Sequence, residues 1–290
     1  MKSTKLLLAI LLMSTTLFAQ NPDASWWSFT YPTHPTTDSC LLNLRYLNEP
    51  YAGEHGFIQL SDDGNSFVHG NGTPIRFWAS NGGNLASEMS DEKLDSLAQF
   101  LAKMGVNIIR YHGGINPHGP NTNILAVDTT DVTNIWRCVA AMKRHGIYTI
   151  ISPFWPHNGH MGGHVPAAWG IDGYEETDDL WAVLYFNEKL KTAYKTWVKY
   201  LYTTPNPYTG VALKDEPAVA IIQVENEDGV FFWTMQSIKP TLSKMVSMQF
   251  AQWLKDKYGS LQTAINTWGS DAVLKEDDLA KDFVGLYPFT

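Results

Sequence analysis

Along the chain, one short alternating stretch is followed by a repeated exchange between strand-like and helix-like spacing. From Gly56 to Val68 apolar and polar residues alternate about Asp62-Asp63-Gly64-Asn65, which predicts a β-hairpin closed by a turn. A second turn, Gly70-Asn71-Gly72, precedes Pro74 to Ala79, predicted as one strand running straight into Asn81-Gly82-Gly83. Ser90 then caps a predicted helix with Asp91 and Glu92 in its first turn, where the helix dipole favours negative charge. Leu94, Leu97, Leu101 and Met104 recur at helical spacing and Gly105 ends the run. Val106 to Tyr111 reads as the next strand. A second helix from Asp131 through Ile135, Val139 and Met142 is closed by Gly146, and Ile147 to Ser152 reads as a third strand.

The alternation continues with a third helix over roughly Asp179 to Tyr202. Ala218 to Val224 is a nearly continuous apolar run, as expected of a parallel strand covered on both faces. Helices around Leu242 to Leu254 and Leu261 to Trp268 follow. Strand and helix in strict alternation predict an α/β fold with a parallel sheet, open or closed into a barrel. The domain reading is a leader over residues 1–20, an extended segment and hairpin over 21–73, and the α/β unit over 74–290.

Composition narrows the setting. Lys2 and Lys5, an apolar run from Leu6 to Met13 and the small Ala19 read as a secretory signal, too short to span a bilayer. Losing its two lysines turns 21 basic residues into 19 against 29 acidic ones, so the exported protein is expected to be acidic, outside the cytoplasm and detached from the membrane. That balance argues against a nucleic-acid partner. Cys40 and Cys138 are the only cysteines and make no disulfide framework. The 11 tryptophans, 13 tyrosines and 13 phenylalanines in a chain poor in charge suit a core, or flat apolar surfaces for sugar rings.

In parallel α/β folds ligands gather beyond the carboxyl ends of the strands. The fourth such end reads Gln223-Val224-Glu225-Asn226-Glu227-Asp228-Gly229, three carboxylates in four residues after a buried strand. Such groups need partners or work to do. This segment resembles the fourth-strand motif of the clan A retaining glycoside hydrolases, the beta-galactosidase-like and cellulase-like (β/α)8 barrels. Three further segments agree with it: Leu47-Asn48-Glu49-Pro50 through Gly56-Phe57, Pro74 to Trp78 leading to Asn81, and Gly105 to His112. The fold implied is the first half of a TIM barrel, four strand-helix units, behind the hairpin. The resemblance makes Glu227 the general acid/base, Asn226 the group that binds the sugar hydroxyl beside the reacting carbon, Arg110 the residue that orients the nucleophile, and His112 a wall of the site. A glycosidic oxygen leaves poorly, so a carboxylic acid must protonate it as an oxocarbenium-like centre forms. Glu225 and Asp228 are expected to help keep Glu227 protonated by like-charge repulsion. The third strand end, Ser152-Pro153-Phe154-Trp155-Pro156-His157, departs from the family pattern.

Trp78, Trp155 and Trp233 are read as sugar platforms at or just beyond strand ends, with Asn81 and His157 beside the substrate. The substrate expected is a β-linked oligosaccharide or polysaccharide, and no cofactor is required. Two rival readings remain: a carbohydrate-binding protein without turnover, and a zinc hydrolase built on the His157, His160 and His164 loop. Only 62 residues follow Asp228, whereas four more strand-helix pairs need on the order of 120. The resemblance implies that the nucleophile lies at the end of the seventh strand, among those later ones. The 290 residues therefore read as a fragment that lacks it, predicted inactive alone.

Overall fold

The computed structural model describes residues 43–119, 121–157, 169–231 and 233–286. Gln59–Leu60 (β1), Phe67–Val68 (β2) and Pro74–Ile75 (β3) form a small antiparallel sheet in sequence order. Asp63 holds the first turn, accepting from the Ser61 hydroxyl at 2.5 Å and the Asn65 amide at 3.1 Å.

The main unit then runs Ala79–Gly83 (β4), Asp91–Lys103 (α1), Ile108–His112 (β5), Thr129–Arg144 (α2), Tyr148–Ser152 (β6), Val183–Phe186 (α3), Glu188–Thr203 (α4), Val219–Ile222 (β7), Pro240–Tyr258 (α5) and Leu261–Trp268 (α6). Strands β4, β5, β6 and β7 pair in that order and all in parallel, with a helix in every crossover. Sequential parallel neighbours joined through helices are the repeat of a (β/α)8 barrel, and four such strands behind an antiparallel sheet fit part of one.

The pleat gives each strand two jobs. Ile109, Tyr111 and Ile151 face the helices and pack with Leu94, Val139 and Trp197 in the main core. At the amino ends of the strands, Ile108, Tyr148 and Ala218 instead meet Ile75 and Phe77 beside the antiparallel sheet. That sheet therefore covers one end of the parallel one and leaves the carboxyl end to the loops.

Several boundaries differ from the sequence reading. Pro74 to Ala79 is not one strand. Asn107 accepts from the Trp78 amide at 2.7 Å and donates to the Arg76 carbonyl at 2.8 Å, so a side-chain clasp divides β3 from β4. The second helix starts at Thr129, because the Asp128 carboxylate caps the amides of Thr130 and Asp131 at 3.0 Å. The helix expected from Asp179 begins only at Val183 and restarts at Glu188, where Asn187 caps Lys189 and Leu190. Strand β7 is shorter than the apolar run, and Ile222 and Val224 are exposed. Ile222 and Val224 share one face of this strand, and the cover expected over that face is missing.

Candidate active site

Side chains on a strand alternate, so Arg110 and His112 share the face of β5 opposite the buried Tyr111. Register sets His112 against Ser152 of β6 and Arg110 against Asn81 of β4. The guanidinium of Arg110 gathers the neighbouring strand ends. Its Nη2 donates to Asn226 Oδ1 at 2.7 Å, to Gln223 Oε1 at 2.9 Å and to Ser152 Oγ at 3.1 Å, and Nε adds a second bond to Gln223. Nη1 reaches Asn81 Oδ1 at 3.5 Å. Four consecutive strands thus meet at one side chain.

Asn226 is buried, and its backbone amide donates to the Phe154 carbonyl at 3.0 Å, which pins the loop after β7 to the loop after β6. Gln223 Nε2 also donates to Asn226 Oδ1, at 3.3 Å. Both contacts use the oxygen of Asn226 and leave its amide nitrogen to donate elsewhere. The next residue, Glu227, is exposed and has φ of +52°, left-handed backbone that a non-glycine residue rarely adopts. Burial lowers the Arg110 guanidinium from its ordinary value, and the Glu227 carboxylate acts in the opposite direction, so the two groups sense each other's charge.

The other two carboxyls of the loop are buried. Burial, followed by the charge of Asp228, pushes Glu225 up to about 9, so it is neutral near pH 7. Asp228 is also raised, chiefly by burial, although it accepts the Ala182 amide at 2.8 Å. The hydroxyl of Tyr185 donates to the Asp228 carbonyl. The charge of Asp228 helps Glu225 keep its proton, and the hydrogen bond from Glu225 in turn lowers Asp228.

An aromatic wall stands beside the network. Trp155 lies 5.4 Å from His112 between ring centroids, stacks on His157 at 5.0 Å and meets Trp181 edge-on at 6.5 Å. His112 Nδ1 is 3.0 Å from Ser152 Oγ. Trp78 does not join this wall. Although 68% exposed, it precedes β4 and so stands at the amino end of the strand, the opposite end from Arg110's partners. Trp233 opens a short 3-10 helix, Trp233–Ser237, in the loop after β7. His160 and His164 lie outside the described residues. Among the described residues, two groups have metal-ligand spacing, Glu49/His55/His69 and His118/Asp128/Asp131, and neither includes His157.

Gln223, Ser152 and Trp181 were not anticipated as site residues. The signal for the first two was their place as the last polar residue of a strand run. Trp181 was hidden inside a predicted helix; a left-handed Ala182 instead keeps it out of helix and beside the wall.

No protein-family model and no curated protein matches the chain. Solved structures do. An endo-1,4-beta-mannanase from Rhizomucor miehei superposes with a TM-score of 0.50 at 15% identity, over 70% of this chain and 58% of that one. The chain has part of the TIM-barrel fold of this glycosidase. Looser overlaps include a glycoside hydrolase family 5 mannosidase from the same organism (TM-score 0.46, 14% identity, 69% of this chain and 53% of that one). Another is an endo-beta-1,4-mannanase from Thermotoga petrophila (0.43, 21%, 68% and 41%). At 15% identity the likeness to the first is one of fold, and the chain spans about six tenths or less of each of these structures.

Proposed function

We propose that this chain carries the acid/base half of a secreted retaining glycoside hydrolase acting on β-linked oligosaccharides or polysaccharides. The observation that carries the reading is the Arg110 hub, which draws Asn81, Ser152, Gln223 and Asn226 together from four strand ends beside Glu227. Glu227 protonates the leaving glycosidic oxygen and later takes a proton from the attacking water. The Asn226 amide nitrogen, freed by the bonds to its oxygen, donates to the sugar hydroxyl next to the reacting carbon. His112, Trp155 and His157 form the wall, with Trp155 offering an apolar face to the C–H side of a pyranose ring. Retention needs a second carboxylate about 5–5.5 Å from the first. We place it on barrel strands beyond the four described here, with Arg110 orienting it; export follows from the leader over residues 1–20.

The mannanase and mannosidase names of the structural neighbours put β-1,4-mannan in the first substrate panel without excluding other β-glycans. The test uses the complete reading frame assayed on polysaccharides and on an aryl glycoside with an activated leaving group. Glu227→Gln should lower turnover of the natural polymer by about 10²–10⁴-fold. It should affect the formation of the glycosyl intermediate from the aryl glycoside far less, because that leaving group needs no proton. Equal loss on both substrates would remove Glu227 from the acid/base role. Binding of β-glycan with no hydrolysis in the unaltered protein would favour a carbohydrate-binding protein without turnover.

A further inference from the structure

Far from the Arg110 hub, at the amino end of the parallel sheet, three side chains from separate turns converge. Glu49 Oε1 lies 2.6 Å from Nδ1 of His55 and 3.6 Å from Nδ1 of His69. All three donor atoms fall within 4.8 Å of one another. The floor of the cluster is Tyr148, the first residue of β6, whose hydroxyl donates to Glu49 Oε2 and sits 3.3 Å from His69 Nδ1.

We propose that Glu49, His55 and His69 form a structural zinc site that fastens the antiparallel sheet to the floor of the barrel. Two imidazoles and a carboxylate are a donor set zinc takes, with bonds of about 2.0–2.2 Å. Tetrahedral ligands on such bonds stand roughly 3.3–3.5 Å apart. The His69 contact is close to that separation already, and His55 has to open by less than about 1 Å. Tyr148 supplies what a ligating carboxylate needs from its surroundings, a donor on the oxygen that does not face the metal. The side chains of Glu49 and His69 are 8% and 13% exposed and that of His55 is 42% exposed, so the metal has fixed inner ligands and an outer one that opens to solvent. A cavity of about 160 Å³, lined by Glu49, His69, Arg76, Asn107 and Tyr148, leaves room for water as a fourth ligand. Tyr148 and Ser152 are the first and last residues of the same strand, so the site stands about 13 Å from the catalytic end. The role is therefore structural.

The test is calorimetric titration of zinc chloride into the chelator-treated full-length protein, paired with thermal melts. We expect one zinc per chain from this site and a melting temperature that rises with zinc and falls back with chelator. Both responses should be lost in the His55→Gln/His69→Gln variant. The same zinc response in that variant would overturn the proposal, as would no response in the unaltered protein. Should the variant fail to fold, the visible absorption of the cobalt(II)-loaded unaltered protein decides. Intense four-coordinate bands support the site, and the weak spectrum of the hydrated ion rejects it.

Discussion

The two ends of the parallel sheet use the same strands and handle polar groups in opposite ways. At the amino end, Glu49, His55, His69 and Tyr148 bond mainly to one another beneath the antiparallel sheet. Packing there is tight enough that Gly146, with φ of +71°, has no room for a side chain: a Cβ would lie 2.1 Å from the Glu49 carbonyl oxygen. At the carboxyl end, Arg110 satisfies the oxygens of Gln223, Ser152 and Asn226 but leaves the Asn226 nitrogen and the exposed Glu227 available. Both ends are hydrogen-bonded, yet only one keeps donors and an acid in reserve. A polar cluster can receive a sugar when its scaffold bonds consume one side of each functional group and spare the other.

The largest effect that can break this contrast is on Arg110. Arg110→Ala removes the donor shared by Gln223, Ser152 and Asn226, so each of those oxygens loses a hydrogen bond. Catalytic groups displaced by about 1 Å lose on the order of 10²-fold in rate, equivalent to about 2.7 kcal/mol. We expect kcat/KM of the full-length enzyme to fall by about that factor, and Arg110→Lys, which cannot reproduce the planar fork, to recover little of it. A variant with unchanged kcat/KM would mean that the hub is scaffold at both ends of the sheet.

Much of this fold is written in local patterns. The Ser90 cap, the helical repeat that carries Leu94, Leu101 and Met104 and the stop at Gly105 each depend on neighbours in sequence, and the structure keeps them. The breaks that were not legible depend on distant partners: Asn107 divides β3 from β4 through a side chain 29 and 31 residues away from its contacts. The site divides the same way. Glu227 and Asn226 sit in one motif and Arg110 lies near the end of a periodic strand, so their places beyond the strand ends could be read from local sequence. Glu225 is the same residue type in the same motif, yet its environment is set by Asp228, Tyr185 and Tyr194, the last two on helices about 30 to 40 residues earlier. The Glu49 cluster lay partly in a stretch without periodicity, where only the closeness of one glutamate and two histidines along the chain gave a signal.

The next largest effect separates the two glutamates of the motif. Glu225 keeps its proton in the folded protein up to about 9, while an ordinary glutamate releases it near 4.5. Between those values the folded state binds more protons than the unfolded one, so stability falls as pH rises and levels off above the folded value. The groups facing the pair are Asp228, Tyr185 and Tyr194, with Tyr174 near Asp228. Glu225→Gln keeps the shape and removes the proton. Unfolding free energies from urea titrations between about pH 5 and pH 9 should decline for the unaltered protein and decline less for the variant. Parallel declines would assign the slope to other groups.

The smallest effect belongs to the amino end. Burial alone would raise the Glu49 carboxyl, but bonds from Tyr148 and His55 hold it below the usual range, so it is charged and depends on its donors. Tyr148→Phe keeps the ring against Phe77, 6.0 Å away, and deletes the hydroxyl to Glu49. One donor lost from a nearly buried carboxylate costs about 1–2 kcal/mol. The loss should appear in the denaturant midpoint at neutral pH, with kcat and KM of the full-length enzyme unchanged, because the hydroxyl lies a strand's length from Glu227. A drop in kcat with normal stability would show that the two ends communicate along β6, and the amino end could no longer be treated as closed scaffold.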